Sequence, residues 1–202
     1  MQALKDNTTA DFNTAVGYNS LQDNTTGTRN TGLGSGSLMY NTTGSNNEAI
    51  GMNALNSNTT GSRNIAIGNG SLDAPDTEND NLAIGYDALG GSIAGAEKNV
   101  AVGNYAMDAT TSGDDNTAIG YDALSSNTTG NDNTAIGSFA LKNNTTSSQN
   151  VAVGNEALEA NTTGGNNNGI GWHALTSNTT GSSNVAIGTA AANKNTTGSY
   201  NN

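Results

Sequence analysis

The chain contains no cysteine, so no disulfide, thiolate metal site or cysteine nucleophile can form, and cysteine usage says nothing of the redox compartment. It has a single proline and few aromatic residues, 4% of the total. Basic residues are scarcer still: six Lys or Arg stand against 17 Asp or Glu, for a net charge of −11. Nucleic acid and anionic membrane surfaces both call for a basic face, so neither is an expected partner. No apolar run approaches the roughly 20 residues of a membrane span, and no signal peptide precedes the first motif. Any export signal or anchor is therefore expected outside this sequence. Leu, Ile, Val and Phe number only 29 of 202 residues. Without regard to order, that composition is too poor in apolar surface to fold.

Order changes the outcome, because the apolar residues are phased. Gly17, Gly34, Gly51, Gly68 and Gly85 lie 17 residues apart, Gly103 follows after 18, and Gly120, Gly137, Gly154, Gly171 and Gly188 resume the step of 17. A fixed period of this kind signals a solenoid or an array. The clearest unit is Asn116 to Asp132, NTAIGYDALSSNTTGND, which returns at Asn133 to Gln149 as NTAIGSFALKNNTTSSQ. Numbered from that asparagine as position 1, position 3 is Ala or Gly, position 4 is a branched apolar residue, and position 5 is the glycine. Position 8 is Ala or Ser, position 9 is almost always Leu, and positions 12 to 15 usually read N-T-T-G.

Each unit thus has two short apolar segments, T-A-I-G and D-A-L, too short for helices and parted by turn formers. This predicts an all-β, parallel β-solenoid of about eleven 17-residue coils over residues 1–202, with two short strands per coil. Stacked at the ~4.8 Å strand spacing, the coils would make a rod on the order of 50 Å long. One coil buries too little to order itself, so stacking must supply the stability. The glycine implies a corner with positive φ or close backbone approach. The asparagines at positions 1 and 12 suit left-handed corners and amide stacking along the rod. Asn116, Ile119, Gly120 and Leu124, with Asn133, Ile136, Gly137 and Leu141 one coil on, are the expected structural ladder.

Adjacent residues of a strand point to opposite faces. Of each pair, Ala at 3 with Ile at 4 and Ala at 8 with Leu at 9, one member should fill the interior and the other face out. An apolar stripe along the rod would then pack on other copies of the chain, unless a kink at the glycine turns both members inward or an exposed Ala ladder simply stands in solvent. The array is irregular at residues 72–115, where LDAPDTEND, LGGSIAGAEK and an acid-rich corner are expected to form one local bump. Met1 falls at position 6, as Met52 does, so the opening MQAL reads as a coil lacking its start. The chain stops at position 2 with Asn202, and it reads as an excerpt of a longer fibre.

Runs such as NTAIGYDALSSNTTG resemble the head repeats of trimeric autotransporter adhesins, and more closely the 17-residue N-T-A-x-G-x-x-A-L-x-x-N-T-T-G arrays of bacterial and phage tail-fibre-like proteins. The resemblance implies a left-handed roll, a homotrimer, and a shaft or adhesive role on an extracellular, cell-surface or virion fibre. A cell-surface glycan or protein receptor is the candidate partner of the aromatics Tyr18, Tyr86, Tyr121 and Trp172. The adhesin-head repeat is about 14 residues long, so trimer packing transfers less directly than the solenoid.

No catalytic set assembles, and no cofactor is expected. The only His, His173, sits beside the only Trp at variable positions, with no nucleophile to serve. Asp73, Asp76, Glu78 and Asp80 could gather oxygens around Ca²⁺, but they lack known loop spacings, and a solvated turn is the plainer expectation. Tyr18, Tyr86, Tyr121 and Trp172 share position 6 and form a broken row of candidate surface contacts. The nine N-T-T triplets are formally glycosylation acceptors, yet one repeated phase fits a corner ladder better. Stacked Thr also raises an ice- or surface-binding solenoid, and head-to-tail stacking of coils raises a filament, as alternatives to the fibre shaft.

Overall fold

A computed structural model describes residues 2–202; Met1, and with it the reading of the opening coil's first residue, lies outside them. The T-A-I segment of each unit forms a three-residue strand, from β1 (Thr14–Val16) to β11 (Val185–Ile187). The eleven strands make one parallel sheet in sequence order. Register is residue on residue, so Thr117, Ala118 and Ile119 lie on Thr134, Ala135 and Ile136. The chain is a parallel β-solenoid, and each coil lays the same sequence position on itself.

Backbone bonds between coils continue around the whole turn. Thr117 N–H donates to Asn133 O (2.8 Å), Leu124 N–H to Ala140 O (2.9 Å) and Thr128 N–H to Thr145 O (2.8 Å), each towards the next coil. Gly120 donates to Val102 O (2.8 Å) and Asp132 to Asp114 O (3.1 Å), towards the preceding one. Such ladders meet the demand that buried backbone groups be paired, in a chain with few apolar residues to spare.

The second apolar segment is not a strand, which corrects the expectation of two strands per coil. Its residues at positions 7 and 9 are left-handed, as at Asp122 (φ 57°) and Leu124 (φ 53°). An extended chain would turn Ala123 and Leu124 to opposite faces, whereas this geometry buries both. Position 17, immediately before each asparagine, is left-handed too, as at Asp132 (φ 57°) and Gln149 (φ 62°). Apart from the glycine column, the left-handed corners are therefore these three positions and not the asparagines of positions 1 and 12.

In the strand the pair does split, with Ala inside. Ala118 and Ala135 are fully buried, while Ile119 and Ile136 face out. The core is thus Ala at 3, Ala or Ser at 8 and Leu or Met at 9, a narrow interior that a branched residue at 3 would overfill. The glycine at position 5 is held by both causes at once. Gly120 has φ 142°, and a Cβ there would lie 2.5 Å from the Gly137 carbonyl oxygen.

Two amide columns complete the interior. The Oδ1 of Asn116 accepts the Asn133 N–H (3.0 Å), and its Nδ2 donates to Gly130 O (2.9 Å). At position 12, Asn144 Nδ2 donates to Asn127 Oδ1 (3.0 Å) and to Ser147 O (3.0 Å). These are the stacked amides expected, and nearly all are fully buried.

Candidate functional site

Because the interior is filled by ladders, whatever the rod presents lies on its outer columns. Among the described residues there is no pocket, and no group of three or more His, Asp or Glu is placed to hold a metal ion. The four acids considered for Ca²⁺ go separate ways. Glu78, at the position usually held by glycine, turns inward, and its carboxylate accepts N–H groups from Asp76 (2.8 Å), Thr77 (2.9 Å) and Gly95 (2.8 Å). Asp80 forms a two-pronged pair with Arg63 one coil earlier (2.6 and 2.7 Å). That guanidinium holds its carboxyl below the usual aspartate range. Asp76 accepts from the Thr59 hydroxyl. Asp73 lies on a different column, at position 10.

The triplet corner is likewise spoken for. The asparagines of seven N-T-T triplets, from Asn24 to Asn178, are fully buried, so the folded rod offers them to no glycosylating enzyme. The first Thr of the triplet donates its hydroxyl to the next coil, as Thr128 does to Thr145 O (2.9 Å) and Thr162 to Thr179 O (3.0 Å). Only the second Thr stands free. One hydroxyl per coil is a single row, where an ice-ordering face wants several.

Two outer features remain. The first is the position 4 column, unbroken from Val16 through Ile119 (40% exposed) to Ile187 (69%). Beside it, position 2 is also apolar at Ile65, Leu82, Val100, Val151 and Val185. The second feature was hidden in the sequence. Tyr86 and Tyr121, at position 6, are 45% and 48% exposed. Between and after them come Tyr105 and Phe139, at position 7, and the four rings meet edge to face in one column. The centroid distances are 5.5, 6.0 and 5.5 Å. A search of one position at a time misses this, because the column zigzags between two. Tyr18 and Trp172 lie outside it. Trp172 stacks at a tilt on His173 (3.8 Å), whose Nε2 is 2.9 Å from Glu156.

Carboxylates flank the ring column. Asp73 and Asp108 are both held above the usual aspartate range, chiefly by burial and then by the neighbouring charge of Asp87. Asp87 also raises the Tyr86 phenol. Asp122, by contrast, meets the Lys142 ammonium at 3.0 Å, and that ammonium sits 4.7 Å from the Phe139 ring centroid. No family model, curated protein or solved structure matches the chain.

Proposed function

We propose that this chain is a rigid shaft or adhesive segment of an extracellular or virion fibre, standing side by side with other copies of itself as a trimer. One observation carries the reading: position 4 is a branched apolar residue in every unit, and none of the eleven is buried within the single chain. Single exposed Ile or Val residues are ordinary, whereas a ladder of them along an entire rod is an interface signal. The interior does not need these residues, since Ala at position 3 fills it. The mechanism is mechanical. In-register backbone ladders and two amide columns resist bending and proteolysis, and side-by-side packing would cover the apolar column. The resemblance to trimeric adhesin heads and tail-fibre arrays supports the same arrangement.

Sedimentation equilibrium tests this directly. The wild type should run at three times the chain mass, and Ile119→Asp with Ile136→Asp should shift it to one, with unchanged circular dichroism. A wild-type monomer at micromolar concentration would sink the proposal.

A further inference from the structure

We propose that the aromatic and carboxylate face centred on Tyr105 docks a basic peptide segment, one that brings lysine or arginine side chains to the rod. This goes beyond the self-association reading and does not rest on it, since it uses positions 6, 7 and 10 and not the apolar column.

The chain itself contains a filled example of the contact. Lys142 lies between the Asp122 carboxylate (3.0 Å) and the Phe139 ring (4.7 Å to its centroid). Asp122 and Phe139 hold position 7 of successive units, and Lys142 holds position 10 of the second. Two units earlier, Asp87 and Tyr105 hold the same two places, and Asp108 stands where Lys142 would. Ring and carboxylate are retained, but the internal ammonium is replaced by another acid.

The consequence is negative charge without a basic partner on the columns adjoining the position 7 ring. Asp73, Asp87 and Asp108 are half-buried and pair with no Lys or Arg among the described residues. Burial and mutual repulsion already disfavour ionisation of Asp73 and Asp108. A cation arriving there would relieve that repulsion and gain the ring's attraction as well. With only six basic residues of its own, this chain is a poor source of the ligand, which points to a partner of another kind. Asp73 and Asp108 are two coils apart, roughly 10 Å at strand spacing. That separation suits several charges spaced along a peptide and exceeds the reach of one ammonium.

Fluorescence anisotropy with a labelled seven-residue oligolysine, titrated with the full chain, tests the proposal. Asp87→Asn combined with Asp108→Asn should weaken binding ~tenfold or more, and Tyr105→Ser, which keeps the charges, should weaken it several-fold. Asp115→Asn combined with Asp132→Asn removes equal charge from position 17 and should leave affinity within about twofold of wild type. The Asn variants preserve shape and remove repulsion, so loss of binding with intact circular dichroism is not unfolding. The idea fails if both double variants weaken binding equally, which would be net charge alone, or if the wild type binds no oligolysine. It fails too if spermidine competes as tightly per molecule as the peptide, which would make this a small-polyamine site. Solution mass, read on the same samples, reports on self-association separately.

Discussion

The side-chain oxygen of Asn58 is buried without a hydrogen-bond partner, because the residue one coil on is Pro75, which has no amide to offer it. Asn58 Nδ2 still donates backwards to Asn41 Oδ1 (2.7 Å), so the position 12 column ends there on an unmet acceptor. The column resumes only at Asn127, after Thr110, whose buried hydroxyl is also unpaired. The middle coils are thus the stretch where one of the two amide columns lapses. The four-ring column from Tyr86 to Phe139 overlaps that stretch and supplies cross-coil contact of a different kind.

Restoring the missing amide should strengthen the rod. An unsatisfied buried acceptor costs about 1–3 kcal/mol, so Pro75→Asn is expected to recover on the order of 1 kcal/mol. Pro75→Ala restores only a backbone N–H, which at this position donates within the coil as Asn127 N–H does to Leu124 O (3.2 Å), and adds no side-chain amide, so Pro75→Asn should exceed it by the acceptor's share. Chemical denaturation of the two variants beside wild type distinguishes them, and equal midpoints would mean that the acceptor is not the defect.

The glycine column allows a comparison within one protein. Gly120→Ala places a Cβ against the Gly137 carbonyl, where backbone must move, and should cost ~3 kcal/mol or more. Gly188 has a similar φ (125°), yet a Cβ there meets nothing within 4 Å. Gly188→Ala should therefore cost only the conformational strain, about 1–2 kcal/mol. Similar losses at both sites would show that φ and not close approach keeps these positions glycine.

The period and the parallel stacking were legible because each rests on recurrence, and recurrence is visible in letters. Asn116 and Asn133 announce a column simply by returning at the same phase. What could not be read was conformation that residue type does not advertise. Leu is an unusual left-handed residue, so nothing at Leu124 signals φ 53°, and the D-A-L segment has the pattern of a strand. Burial of both Ala123 and Leu124 follows from that one angle. The outer ring column escaped for another reason: Tyr86 and Tyr105 are joined by position in space, and their positions in the repeat differ by one. The acidic loop looked like a ligand set only while its side chains had no direction, and Glu78 turns to its own backbone.

Inside and outside of the coil should separate in a mutational pair. Leu124→Ala empties a fully buried site and should cost about 2–5 kcal/mol. Ile119→Ala trims a side chain exposed in the single chain, and on a background carrying Ile136→Asp and Ile170→Asp, with its monomeric state verified by sedimentation, it should cost less than about 1 kcal/mol. Thermal unfolding of both on that monomeric background makes the comparison. A loss at Ile119 as large as that at Leu124 would return the isoleucine to the core.

Two aspartates should carry opposite pH signatures. Asp80 has its folded-state pKa lowered, first by its hydrogen bond to Arg63. Its contribution to stability is present above the unfolded-state value and is lost as pH falls through the folded one. Asp108 has its folded pKa raised by burial and then by Asp87, so ionising it works against the fold. Its favourable share is complete below the unfolded-state value and is lost as pH climbs through the folded one. Asp80→Asn should therefore lower the unfolding midpoint near pH 7, and Asp108→Asn should raise it. The Asp108 difference should shrink towards zero below the unfolded-state aspartate value of about 3.9, and the Asp80 difference only at still lower pH, below its lowered folded-state value. Two variants shifting the same way at neutral pH would contradict this pairing of signs.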